Sequence, residues 1–114
     1  MSVAFIFPGQ GSQSVAMLSS LADRPEVGRL MQTADEVLRM PLSRLVAEGP
    51  AEELSLTVNT QPAMLLAGLA CLAAWRANGG REPDFVAGHS LGEYTALVAA
   101  DAIDPAPAFG LVRL

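Results

Sequence analysis

Nine residues, Val86-Ala87-Gly88-His89-Ser90-Leu91-Gly92-Glu93-Tyr94, constrain this chain more than any other stretch. They hold the Gly-x-Ser-x-Gly spacing of a nucleophile elbow, in which a strand enters a sharp turn, exposes a serine hydroxyl and continues at once as a helix. A turn that tight strains its central residue. A side chain two positions to either side would collide with the neighbouring strand and helix, so hydrogens are wanted at positions 88 and 92. The same five-residue pattern also fits a plain glycine-bounded helix start, and the rest of the chain has to decide between the two.

The N-terminus supplies a second strand. Val3-Ala4-Phe5-Ile6-Phe7 is a short apolar run closed by Pro8-Gly9, which reads as a strand buried on both faces of a parallel sheet. In the turn that follows, Gly9-Gln10-Gly11-Ser12-Gln13-Ser14, the backbone is free to approach a ligand and aim N–H groups at it. As the opening of a dinucleotide fingerprint it is a poor match, because Ser14 stands where the third glycine belongs and no second apolar strand follows at βαβ distance. From Asp23-Arg24-Pro25 an amphipathic helix is expected, capped by Asp23 or a neighbour, with Val27, Leu30, Met31, Ala34, Val37 and Leu38 on one face. Short helical turns follow at Leu42 to Ala47 and Pro50 to Leu54; the adjacent Glu52 and Glu53 read as a solvated first turn rather than paired acid and base. Asn59 or Thr60 is expected to cap a helix running Ala63 to Ala77, apolar nearly all round and ended by Asn78-Gly79-Gly80, with Pro62 in its first turn. Phe85-Val86-Ala87 is then a short strand entering the elbow. The helix after it, Leu91 to Ala100, is expected to pack Tyr94, Leu97 and Val98 on the sheet, and Asp104-Pro105 opens a last helix. This order of elements gives an α/β layered fold with a short parallel sheet flanked by helices.

At 114 residues the chain is one domain at most, and 51% hydrophobic with 17% charged residues is apolar enough that part of its surface is expected to meet something absent. A net charge of −5 argues against nucleic acid or an anionic membrane as partner. The single cysteine, Cys71, excludes an internal disulfide, makes no thiolate metal site alone, and falls in an apolar run where packing is its expected role. No cationic stretch precedes the first apolar run, and the apolar segment Ala63 to Trp75 is short for a bilayer. The setting expected is reducing and cytoplasmic.

A serine hydroxyl attacks only when a positioned base takes its proton, usually an imidazole. His89 is the one histidine present. Adjacent in sequence to Ser90, it is expected to point away from the hydroxyl and to steady the elbow by hydrogen bonding rather than serve as base. Backbone N–H groups at the start of the Leu91 helix carry the positive end of its dipole and suit an oxyanion. A second donor from the Gly9-Gln10-Gly11 turn would complete the hole if the first strand lies beside the Phe85 strand; otherwise the turn is a plain connection.

Together three stretches resemble a known family. Phe7-Pro8-Gly9-Gln10-Gly11-Ser12-Gln13, Thr60-Gln61-Pro62-Ala63 and Gly88-His89-Ser90-Leu91-Gly92-Glu93-Tyr94 are similar, in order and spacing, to malonyl-CoA:acyl carrier protein transacylases, and Glu48 to Leu54 is in the same style. The resemblance implies an α/β-hydrolase-like acyltransferase core. It implies Ser90 as the nucleophile carrying the malonyl ester, an oxyanion hole from the N–H groups of Gln10 and Leu91, and a substrate pocket near Gln61 and His89. It further implies malonyl-CoA as substrate, the phosphopantetheine thiol of acyl carrier protein as acceptor, and no bound cofactor or metal.

The same resemblance implies that residues 1–114 are the N-terminal part of one acyltransferase domain, truncated at the C-terminus. The family's histidine base, the arginine that pairs with the malonyl carboxylate and the ferredoxin-like subdomain are all expected beyond Leu114. Arg113 is close to that arginine but out of register, and is not given its role. Asp101 stands where the family usually has glycine, and Pro107 and Gly110 weaken the last helix. An α/β-hydrolase-type esterase or thioesterase fragment is the nearest rival, although no His-Gly-Gly oxyanion loop lies upstream. A non-catalytic carrier-protein-binding module is the other. A polyketide synthase domain stays open within the family.

Overall fold

Two short strands set the frame of the computed structural model, which describes residues 1–113. β1 (Ala4–Phe7) and β2 (Phe85–Gly88) pair in parallel, Ala4 opposite Phe85 through Phe7 opposite Gly88. A parallel pair needs a long crossover, and four helices fill it: α1 (Pro25–Leu38), α2 (Leu42–Glu48), α3 (Ala51–Leu54) and α4 (Thr57–Ala77). The elbow helix α5 (Gly92–Ala99) and a last helix α6 (Pro105–Val112) complete the order. Residues directly opposite in a parallel pair share a face. Phe5, Phe7 and Val86 pack on Leu72 of α4 and on Ala96 and Ala99 of α5. The other face is open: Ile6 is 76% and Phe85 66% exposed. The strand expected to be buried on both faces is therefore covered on one, because α4 and α5 lie on the same side and no other described residue lies on the opposite one.

The main core is built by the helices, where Val27, Ala34, Leu42, Leu65, Leu66 and Phe109 are fully buried. α1 follows its apolar periodicity, but its cap is Arg24 rather than Asp23, and no side chain bonds the free N–H groups there. Arg24 Nε instead donates to Glu26 Oε1 at 2.7 Å. The main-chain N–H of Glu26, and then Arg24, hold its carboxyl below the usual range. Ser43 at the start of α2 donates its main-chain N–H to Asp35 Oδ1 of α1 at 2.9 Å, fastening the two helices.

α4 begins at Thr57, several residues before the expected start, with Leu56 at its cap. Asn59 and Thr60 are within its first turn. Instead of capping α4, Asn59 Nδ2 donates to Glu53 O at 2.9 Å and Thr60 Oγ1 donates to Leu54 O, so both close off the end of α3. Pro62 lies inside the helix and deprives only the Val58 carbonyl near its exposed start of a partner. At 21 residues α4 is long and apolar enough to cross a membrane, longer than the apolar run alone suggests. Its apolarity is accounted for within the fold, where 67% of its most hydrophobic window is buried.

On α5 the inward residues are Thr95, Ala96, Val98 and Ala99, whereas Tyr94 and Leu97 are exposed. The small side chains face the sheet because α4 comes close, with Thr95 Cγ2 seated against Gly68. α6 starts after Asp104, whose extended backbone fits a cap although its carboxylate makes no capping bond. Neither Pro107 nor Gly110 interrupts α6. The expected apolar pattern continues through Phe109 and Val112, and its last member, Leu114, lies outside the described residues. Cys71 is exposed rather than packed.

Candidate active site

Ser90 sits between β2 and α5 with φ of 56°, a left-handed conformation that costs a non-glycine residue about 1–2 kcal/mol. Its neighbours impose that conformation. A Cβ on Gly88 would lie 2.0 Å from the carbonyl of Gly92, and one on Gly92 would lie 2.0 Å from Phe7 O. Strand, turn and helix are thus in contact at the two positions where the motif has hydrogens. Successive N–H groups of Gly92, Glu93 and Tyr94 close back on the carbonyls of His89, Ser90 and Leu91 at 3.0 Å each. These bonds use the N–H groups after the elbow. Among the described residues the N–H of Leu91 donates to none, although it stands at the positive end of α5.

The β1 turn is laid directly against this elbow. Phe7 O accepts the His89 N–H at 3.1 Å, carrying the strand pairing one residue beyond β2. Gly9 packs so closely that a Cβ there would lie 2.6 Å from His89 O, 3.3 Å from Ser90 Cβ and 3.5 Å from the Leu91 nitrogen. The glycine read as room for a ligand serves here for contact between the two turns. The Gly11 N–H is taken by Gln13 Oε1 at 2.8 Å. The N–H of Gln10 has no acceptor among the described residues, while its side chain reaches α4, Nε2 donating to Thr57 Oγ1 at 3.1 Å.

Ser90, Leu91 and the Gln10 turn are therefore brought together. Gln61 is half-buried one turn after Thr57 on α4, and with Thr57, Tyr94 and Arg113 it lines a cleft of about 630 Å³ between α4, α5 and α6. His89 does not line that cleft. The elbow bonds of His89 are main-chain ones; its exposed imidazole makes no hydrogen bond among the described residues, so the side-chain support expected of it is absent. Thr57 and Tyr94 also line this cleft, and no motif in the sequence marks them for it. Their signals are positional: Thr57 precedes Gln61, and Tyr94 follows Ser90, by one helical turn.

A separate hollow of about 470 Å³ runs along β1 and α4 past Phe5, Cys71 and Trp75, and is lined by none of Gln10, Gln61, His89, Ser90 and Leu91. Its apolar walls push the Cys71 thiol pKa up, which disfavours the thiolate. Among the described residues no group of three His, Cys, Asp or Glu side chains could hold a metal ion.

Comparison with known proteins gives the family. The family profile described as "Acyl transferase domain" matches residues 4–113. The chain is 51% identical over 112 residues to the malonyl CoA-acyl carrier protein transacylase of Bacillus subtilis (strain 168), covering 97% of this chain and 35% of that protein. It is 49% identical to the enzyme of the same name from Escherichia coli (strain K12), covering 97% and 36%. It thus spans about a third of the length of these curated relatives. Among solved structures, the acyl-carrier-protein S-malonyltransferase of Burkholderia pseudomallei 1710b matches with a TM-score of 0.97 at 56% identity, over 99% of this chain and 37% of that one. A malonyl-transacylase solved in complex with a type II polyketide synthase acyl-carrier protein matches with a TM-score of 0.94 at 47% identity, over 99% and 37%. With the strained serine elbow, the abutting Gln10 turn and the profile match covering nearly all of it, this chain belongs to the acyl transferase domain family.

Proposed function

We propose that this chain carries the nucleophile and oxyanion hole of a malonyl-CoA:acyl carrier protein transacylase. The observation that supports it most is the contact of Gly9 with Ser90 and Leu91 at the strained elbow, next to the N–H groups of Gln10 and Leu91, which have no acceptor among the described residues. In a polypeptide of its relatives' length, Ser90 Oγ attacks the thioester carbonyl carbon of malonyl-CoA as a general base takes its proton. The carbonyl oxygen becomes an oxyanion between the two N–H groups, each worth about 3–4 kcal/mol in the transition state. The C–S bond breaks, the base returns the proton to the CoA sulfur, and malonyl-Ser90 remains. The phosphopantetheine thiol of acyl carrier protein then attacks that ester by the same route in reverse, releasing Ser90. The donors are backbone groups and the leaving group is a thiolate, so no cofactor is needed. The reading carries with it a cytoplasmic setting, supported by the malonyl CoA-acyl carrier protein transacylases among the relatives.

Residues 1–114, as the N-terminal part of that domain, supply no base in this reading. His89 is the one imidazole, and it makes no bond to Ser90. The chain by itself is therefore inactive at neutral pH. Incubation with malonyl-CoA and holo acyl carrier protein, followed by intact mass, tests this: the chain stays unmodified and the carrier unmalonylated. Steady malonyl transfer by the chain alone would contradict the assignment of the base elsewhere.

A further inference from the structure

The segment from Pro8 to Val15 carries the Gln10 N–H, yet it is lightly held. Between the bond at Phe7 O and the one from the Ala16 N–H to Val46 O, its only hydrogen bond to another element, among the described residues, is that from Gln10 Nε2 to Thr57 Oγ1. Gly9 meets the elbow by contact alone. Packing at Gly9 fixes where the turn sits. One bond, across 47 residues of sequence, ties the Gln10 side chain itself to another element.

We propose that Thr57 is the positioning residue of the oxyanion hole: its hydroxyl holds the Gln10 side chain to the first turn of α4, and so orients the Gln10 N–H toward the carbonyl oxygen of the acyl group on Ser90. The assignment rests on the acyl-transfer reading above. Thr57 has no contact with the reacting atoms and acts through Gln10. Its place on α4 couples two parts of the site, since Gln61 on the next turn lines the cleft beside it. A ligand that displaces the α4 end would thereby turn the Gln10 N–H as well.

The test uses single-turnover acetylation by p-nitrophenyl acetate at alkaline pH, where hydroxide substitutes for a protein base, with the site of acetylation read by peptide mass. The variants are Thr57→Val, which keeps the shape and removes the hydroxyl, and Thr57→Ser, which keeps it, each in a Cys71→Ala background so that the exposed thiol does not compete. The expected result is Ser90 acetylation roughly tenfold slower in Thr57→Val, a fraction of the loss from deleting a whole oxyanion donor, with the rate recovered in Thr57→Ser. The Gln10 main-chain amide resonance should shift in Thr57→Val and not in Thr57→Ser. Equal rates with an unmoved Gln10 resonance would overturn the role of Thr57 and leave the acyl-transfer reading standing. If Ser90 in the unsubstituted chain reacts no faster than exposed serines, the acyl-transfer reading fails and the role of Thr57 fails with it.

Discussion

Gly92→Ala should be one of the most damaging single-methyl additions to this chain. The added Cβ would sit 2.0 Å from Phe7 O, 2.8 Å from Phe7 C and 3.1 Å from Pro8 O. All three atoms are backbone, so no side chain can swing aside, and relief requires α5 to lift from β1. Overpacking alone costs about 1–3 kcal/mol. Phe7 O also accepts the His89 N–H, and weakening that bond adds about 1 kcal/mol. The sum of about 2–4 kcal/mol is a large share of the total stability of a small domain, about 5–15 kcal/mol. With a urea m-value of about 1.5 kcal/mol/M the midpoint should fall by about 1.3–2.7 M. Gly28→Ala is the control: in the first turn of α1, with no atom within 4 Å of the new Cβ, it should raise stability by about 0.5–1 kcal/mol. Chemical denaturation followed by circular dichroism reads both. A Gly92→Ala midpoint within error of the wild type would refute the close approach of strand and elbow helix.

Three further outcomes follow from single atoms. Asp101 has φ of 61°, so Asp101→Gly should stabilise by about 1 kcal/mol, measured as a higher urea midpoint. Among the described residues Thr95 Oγ1 is buried without a partner, and Thr95→Val should stabilise the fold by roughly 1 kcal/mol as the unsatisfied hydroxyl is removed, measured as a higher thermal midpoint. Glu82 is held below its ordinary value of 4.5, chiefly by its hydrogen bond from Arg76. Its contribution is complete above that value and is lost as pH falls through the lower folded value. The difference in thermal midpoint between wild type and Glu82→Gln should therefore be present at neutral pH and vanish in strong acid.

The elbow was legible because its constraint is local: Gly88, Ser90 and Gly92 collide or fit within one turn of chain. The helices of the crossover were legible for the same reason, through apolar spacing and prolines. What could not be read depends on partners distant in sequence. Asn59 and Thr60 have the side chains of caps, but α3 ends beside them and takes both hydrogen bonds. Ile6 belongs to an apolar run that looks the same whether one face of the strand is covered or two. Tyr94 and Leu97 outrank Thr95 and Ala99 in hydrophobicity, yet small side chains face the sheet because α4 is close. Gln10 and Thr57 carry nothing in their flanking residues that announces a bond between them. Gly9 was readable as a turn, not as the contact surface for Ser90.

The strained elbow and the N–H groups of Gln10 and Leu91, which have no acceptor among the described residues, should make Ser90 more reactive toward acyl donors than an ordinary serine. Peptide-resolved mass spectrometry after alkaline treatment with p-nitrophenyl acetate, in the Cys71→Ala background, measures this directly. Ser90 should be acetylated ahead of the exposed Ser12, Ser14 and Ser55 in the native chain, lose that lead in urea, and carry no label in Ser90→Ala. Acetylation of Ser90 at the same rate as those three serines, native and unfolded alike, would contradict it.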